Sequence, residues 1–197
     1  APLVAKSFTP TIIGQNGTAL LTVSLTNLNA VDMTASSFTD TYPRGLSNSA
    51  APAAASTCSG GTLTAANNGT SVSLANTTIP ANSTCVVTVN VTSTLAGSYS
   101  NSVPAGALTT SAGANTVAAN ALLTVLSPPT ASKSFSPASV ATNEESTLTI
   151  TLSNPNATAI TGASFADTYP ANLRNAVTPN AATTCAGTVA ASPNGTN

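Results

Sequence analysis

Apolar and polar residues alternate one by one along several stretches of the chain. In Leu21-Thr22-Val23-Ser24-Leu25-Thr26 the odd positions are apolar and the even ones polar, and Leu148-Thr149-Ile150-Thr151-Leu152-Ser153 repeats the pattern. Cys85, Val87, Val89 and Val91 alternate with Val86, Thr88, Asn90 and Thr92. A period of two puts one row of side chains on a core and the other in water, so these segments read as half-buried β-strands. Turn signals separate the runs: Asn16-Gly17, Tyr42-Pro43-Arg44-Gly45, Gly60-Gly61, Asn67-Asn68-Gly69, Pro80-Ala81-Asn82 and Pro104-Ala105-Gly106. No window sustains a helical period. About seven or eight such strands per unit predict a two-sheet sandwich.

The pattern occurs twice. Lys6-Ser7-Phe8-Thr9-Pro10 returns as Lys133-Ser134-Phe135-Ser136-Pro137, and Asn27-Leu28-Asn29-Ala30 as Asn154-Pro155-Asn156-Ala157. Phe38-Thr39-Asp40-Thr41-Tyr42-Pro43 returns as Phe165-Ala166-Asp167-Thr168-Tyr169-Pro170, and Cys58 as Cys185. All of these pairs share one offset of 127, and 27 of the 59 positions from Pro2 to Gly60 are identical in the second copy. One residue is lost just after Cys185, and Asn194-Gly195-Thr196 then matches Asn68-Gly69-Thr70. A period this long makes each unit a domain with its own core rather than one turn of a solenoid. The expected division is 1–127, a complete immunoglobulin-like β-sandwich, and 128–197, the N-terminal half of a second. Ser127-Pro128-Pro129 reads as a stiff, extended joint. The fold class expected is therefore all-β, tandem immunoglobulin-like β-sandwich repeats, the second incomplete.

The run Lys-Ser-Phe-x-Pro, then Leu-Thr-Val/Ile-x-Leu-x-Asn, then Phe-x-Asp-Thr-Tyr-Pro-x-x-Leu, then Cys-x-Gly, resembles a family of bacterial surface repeats. These stand in long arrays in secreted and cell-wall proteins and are catalogued largely as domains of unknown function. The resemblance covers both copies, and Tyr42 and Tyr169 stand where the usual form has Leu. It implies an Ig-like sandwich, an extracellular setting and a role as stalk, fibre or adhesin. It implies no catalytic residues.

Composition narrows the function classes. Of 197 residues, 42% are hydrophobic, four are basic and five acidic. That balance suits a folded domain better than a disordered polar chain. It offers no basic patch for nucleic acid. The longest apolar stretches, such as Ala121–Val125, are strand-sized, so membrane insertion is not expected. Ala1-Pro2 reads as a mature or trimmed start. His is absent, which removes the commonest acid–base group and metal ligand. The cysteines lack zinc-ligand spacing. The expectation is a protein with no enzymatic activity, cofactor or metal.

Three candidate chemistries remain. Cys58, before the Gly60-Gly61 turn, and Cys85, on an apolar-facing strand, are expected to form a disulfide. The counterpart of Cys85 in the second copy falls past Asn197, so Cys185 is expected unpaired, with the natural sequence continuing. Lys6 shares strand parity with Val4 and Phe8, Asp40 shares it with Phe38, and both recur as Lys133 and Asp167. They fit an inward charge guarding an edge strand with Asp40 closing a turn, a partly buried Lys–Asp pair, or an intramolecular isopeptide bond. The last would join Lys6 to an Asn on the final strand, with Asn120 as candidate and Asp40 as the acid. Asn16, Asn68, Asn76, Asn82, Asn90, Asn156 and Asn194 open Asn-x-Ser/Thr sequons, which makes surface glycans a candidate partner.

Two functions compete. One is a structural repeat of an extracellular filament, fibre or stalk on a bacterial surface. The other is an adhesin-type module recognising a host or carbohydrate ligand through sandwich loops. Binding loops are rich in aromatic and Arg anchors, and here only Tyr42 and Arg44 qualify. The half domain would leave Leu148, Ile150, Leu152 and Phe165 on an open face, so copies of the chain are the expected partner, completing one another head to tail.

Overall fold

The computed structural model describes residues 1–197; its regular elements are all strands, the last of them ending at Ser153. Two compact units divide it, Ala1–Pro128 and Pro129–Asn197. The boundary falls within one residue of the joint read from the sequence.

In the first unit, strands β1 (Leu3–Thr9), β3 (Thr18–Asn27), β9 (Ser83–Thr92) and β5 (Ser47–Asn48) form one sheet in the order β1-β3-β9-β5, with β6 (Ala55–Ser56) also on β9. Strand β4 (Met33–Thr41) pairs with β8 (Ser71–Ile79), which carries β7 (Thr62–Thr64), while the small hairpin β11 (Thr109–Thr110) and β12 (Gly113–Ala114) flanks β4. A third ladder joins β10 (Gly97–Val103), β13 (Ala119–Leu126) and β2 (Ile12–Gly14). Strand β10 packs against β4 and β1 against β13, so the three ladders enclose one core. The N-terminal segment changes ladders: β1 runs antiparallel to β3, and after Pro10 β2 runs parallel to β13.

The alternation is realised residue by residue. Leu21, Val23 and Leu25 of β3 are buried against Cys85, Val87, Val89 and Val91 of β9. Val72, Leu74 and Ile79 of β8, Tyr99 of β10 and Leu123 and Val125 of β13 supply further core side chains. A fully buried Leu or Val of this kind contributes roughly 1.5–3 kcal/mol, so aliphatic rows alone can hold a core short of aromatics.

The second unit holds one ladder, β14 (Thr130–Ser136) with β15 (Thr147–Ser153). It copies β1–β3: Lys133 lies opposite Ile150 as Lys6 lies opposite Val23. Leu152 and Phe165 are exposed, and Leu148 and Ile150 partly so.

Left-handed backbone positions recur between the copies, which explains much of the Asn content. Asn16 and Asn143, Ala35 and Gly162, Gly45 and Asn172, Ala53 and Asn180, and Asn68 and Asn194 all have positive φ. Gly45 is exchanged for Asn172, both residues that tolerate that conformation, while Ala35 and Ala53 face Gly162 and Asn180 in the second copy. Ala35 sits in the irregular stretch of β4, where the register against β8 shifts between Met33 and Ser36.

Candidate functional site

Three polar side chains stand in inward-facing rows on three different strands. Lys6 of β1 follows Val4 and precedes Phe8 in its row, Asp40 of β4 follows Phe38, and Asn101 of β10 lies between Tyr99 and Val103. They meet in the core. Lys6 Nζ lies 2.6 Å from Asp40 Oδ2, and both side chains are fully buried. Asn101, also inaccessible, donates from Nδ2 to the same Oδ2 at 3.1 Å. Asp40 Oδ1 and Asn101 Oδ1 have no hydrogen-bond partner, and Lys6 Nζ has no partner beyond its ion pair with Asp40.

Burial dominates the electrostatics of this cluster. Desolvation lowers Lys6 below its ordinary 10.5, against the opposing pull of Asp40. Desolvation also raises Asp40 above 3.8, against the opposing effects of Lys6 and Asn101. Both directions favour the neutral forms, an amine beside a carboxylic acid. In the second unit, Lys133 Nζ bonds Asp167 at 2.8 and 3.1 Å, in an exposed pair.

Asn120 is not part of the cluster. It sits on β13 opposite Ser102 and points to solvent, because the odd positions Ala119, Leu123 and Val125 take the inward row. The asparagine facing Asp40 is Asn101, which has the parity of Tyr99 and Val103.

The remaining buried polar side chains hold turns. Asn27 ends β3 in its inward row, donates to Val31 O and Ile79 O, and accepts from Asn29 N and Nδ2. Tyr42, an apparent loop anchor in the sequence, is buried, and its hydroxyl donates to Asn48 Oδ1 at 2.8 Å. Asn48 Nδ2 donates in turn to Ala66 O and Ser71 O. Burial, then the Asp40 charge, pushes the Tyr42 phenol well above 10.0. Asn115 spans the β10–β13 connection through Leu108 N, Pro104 O and Val117 O.

Cys58 and Cys85 are joined in a disulfide with Cα atoms 4.9 Å apart, and Cys185 is free and exposed. With 27 residues of separation, the chain-entropy account assigns this link about 3.5 kcal/mol. Five sequon asparagines, Asn16, Asn68, Asn76, Asn82 and Asn194, occupy left-handed positions, Asn76 within β8 and the others in turns, so backbone geometry accounts for them. No three His, Cys, Asp or Glu side chains come together, and no helix is long and apolar enough to cross a membrane. An open depression lined by Ser37, Phe38, Ser73, Leu74 and Thr109 contains no titratable side chain.

A family model described as a domain of unknown function, DUF7933, matches residues 2–125 and again 129–197. Among solved structures, a cohesin module from a family 33 glycoside hydrolase of Clostridium perfringens is similar at 10% identity and a TM-score of 0.45, over 65% of this chain and 100% of that one. A non-cellulosomal cohesin from Archaeoglobus fulgidus is similar at 12% identity and a TM-score of 0.38, over 62% of this chain and 91% of that one. The sequence matches no curated protein.

Proposed function

The chain belongs to the DUF7933 family in both of its units, and on that footing we propose that it is a structural repeat of an extracellular filament, fibre or stalk on a bacterial surface. The observation that carries this reading is the reuse of one set of internal fasteners. Asn154 donates to Thr158 O and accepts from Asn156, as Asn27 does with Val31 and Asn29. Tyr169 donates to Asn175 Oδ1 and Asn175 donates to Ser192 O, as Tyr42 and Asn48 do. The two copies therefore share the means of holding the unit together, as the repeats of a stalk or fibre would.

The turns support the same choice. Tyr42 is spent inside the unit, which leaves Arg44 as the one anchor-type side chain that the Tyr42–Gly45 turn shows to solvent. A disulfide fits an oxidising, extracellular compartment. Filament formation by copies of the chain, joined end to end, is the assembly this reading predicts. Negative-stain imaging of the native material tests it. Rods or fibres built of one repeating unit are expected, whereas isolated compact particles, with binding to a glycan array, would favour the adhesin reading instead.

A further inference from the structure

We propose that Lys6 and Asn101 become joined by an intramolecular isopeptide bond, with Asp40 as the acid–base group. The inference is independent of the filament reading. It rests on the convergence of three fully buried side chains from three separate ladders on one oxygen, Asp40 Oδ2. Lys6 Nζ lies 2.6 Å and Asn101 Nδ2 3.1 Å from that oxygen, so one carboxylate oxygen gathers both groups. Apolar side chains surround them: Phe8 and Phe38 stand two residues away in the same rows, and Tyr99 and Val103 flank Asn101.

The unpaired atoms supply the second argument. Asp40 Oδ1 and Asn101 Oδ1 are left without a hydrogen-bond partner within one buried cluster, which is costly for polar atoms out of reach of water, and Lys6 Nζ has only its ion pair with Asp40 Oδ2. These are the atoms that the reaction would satisfy. In the product, the former lysine nitrogen carries one N–H, which can donate to Asp40 Oδ2. Asp40 Oδ1–H can donate to the new carbonyl when the amide presents both groups on one side.

The chemistry balances without a co-reactant. The neutral Lys6 amine attacks Asn101 Cγ, and the Nζ–Cγ bond forms. Half a turn about Cβ–Cγ of Asn101 exchanges Oδ1 and Nδ2, so the amide carbonyl can accept from the Asp40 acid as negative charge develops on it. Asp40 takes a proton from Nζ and delivers one to Nδ2. The Cγ–Nδ2 bond breaks and ammonia leaves, with no change of oxidation state. An attacking amine must be unprotonated, and the desolvation that lowers Lys6 and raises Asp40 acts in that direction.

Intact mass spectrometry of the full chain, after reduction of the disulfide, tests the proposal. The folded protein should be lighter by one ammonia, about 17 Da, than its sequence requires. Trypsin then gives a second readout, since Lys6, Arg44, Lys133 and Arg174 are the only Lys and Arg residues. Cleavage after Lys6 should fail, and a branched species should link the segment ending at Arg44 to the segment 45–133. Lys6→Arg and Asn101→Ala should both restore the full mass. Asp40→Ala should slow the ammonia loss by roughly 100-fold or more while leaving both joined residues in place. A folded wild-type chain of full sequence mass, cleaved normally after Lys6, overturns the proposal without recourse to any variant. Ammonia loss that persists in Asn101→Ala would overturn the assignment of the residues.

Discussion

Replacing Asn48 by alanine tests whether buried amide side chains hold this sandwich together. Asn48 is fully buried and makes three side-chain hydrogen bonds, accepting from Tyr42 and donating to Ala66 O and Ser71 O. At about 1 kcal/mol of net stability each, their loss removes about 3 kcal/mol. The Ala66 carbonyl keeps Gly69 N as a partner, but the Tyr42 hydroxyl loses its acceptor inside the core, which adds about 1 kcal/mol or more. The expected loss is therefore about 3–5 kcal/mol. For a unit of this size that lowers Tm by roughly 10–20 °C. Thermal and denaturant unfolding of the full chain measures it, and Tyr42→Phe completes a double-mutant cycle whose coupling should be about 1–2 kcal/mol. Asn120→Ala, on the solvent face, serves as the control and should change stability by under ~0.5 kcal/mol. If Asn48→Ala costs less than about 1 kcal/mol, or if the two substitutions simply add, the reasoning fails.

Alkaline conditions and backbone geometry give two further tests. Because Tyr42 titrates above 10.0 in the folded chain, the native state keeps a proton that the unfolded chain has lost, so stability should fall as pH rises past 10.0. Unfolding measured from about pH 9 to about pH 11 should show this extra decline in the parent and not in Tyr42→Phe, and equal slopes would contradict it. Ala53 is exposed with φ 46°, where the second copy has Asn180 at φ 48°. Ala53→Asn should raise stability by about 0.5–1 kcal/mol, and a loss would show that the strain argument is wrong there.

The strands were legible because burial on one face forces a period of two, which Leu21 to Leu25 keep without interruption and Cys85 to Val91 keep with Val86 as the one apolar residue in the outward row. The repeat was legible because its offset is constant through Cys185. Parity also marked Lys6 and Asp40 as inward-facing. Asn101 escaped, although Tyr99-Ser100-Asn101-Ser102-Val103 carried the same signal: an asparagine in the row of two core side chains. Many of the chain's other asparagines hold turns, which masks this one, and the last strand offers Asn120 as the more obvious asparagine. Tyr42 was misplaced for a related reason. A Tyr-Pro turn looks exposed in sequence, and only the fold brings Asn48 beneath the hydroxyl. Which strands would bring three isolated polar residues together depends on ladder order, which alternation does not encode.

The parallel pairing of β2 with β13, Ile12 opposite Thr124 and Gly14 opposite Leu126, has a mechanical consequence. Strands β2 and β13 run the same way, so the start of β2 and the end of β13 lie at opposite ends of the pair. Tension drawn between the start of β2 and the end of β13 slides the two strands lengthwise past each other. The ladder bonds, with those from Gln15 N to Leu126 O and from Thr124 N to Thr11 O, then share the load and must yield together. An antiparallel pairing of the terminal strands would have let them peel apart one bond at a time.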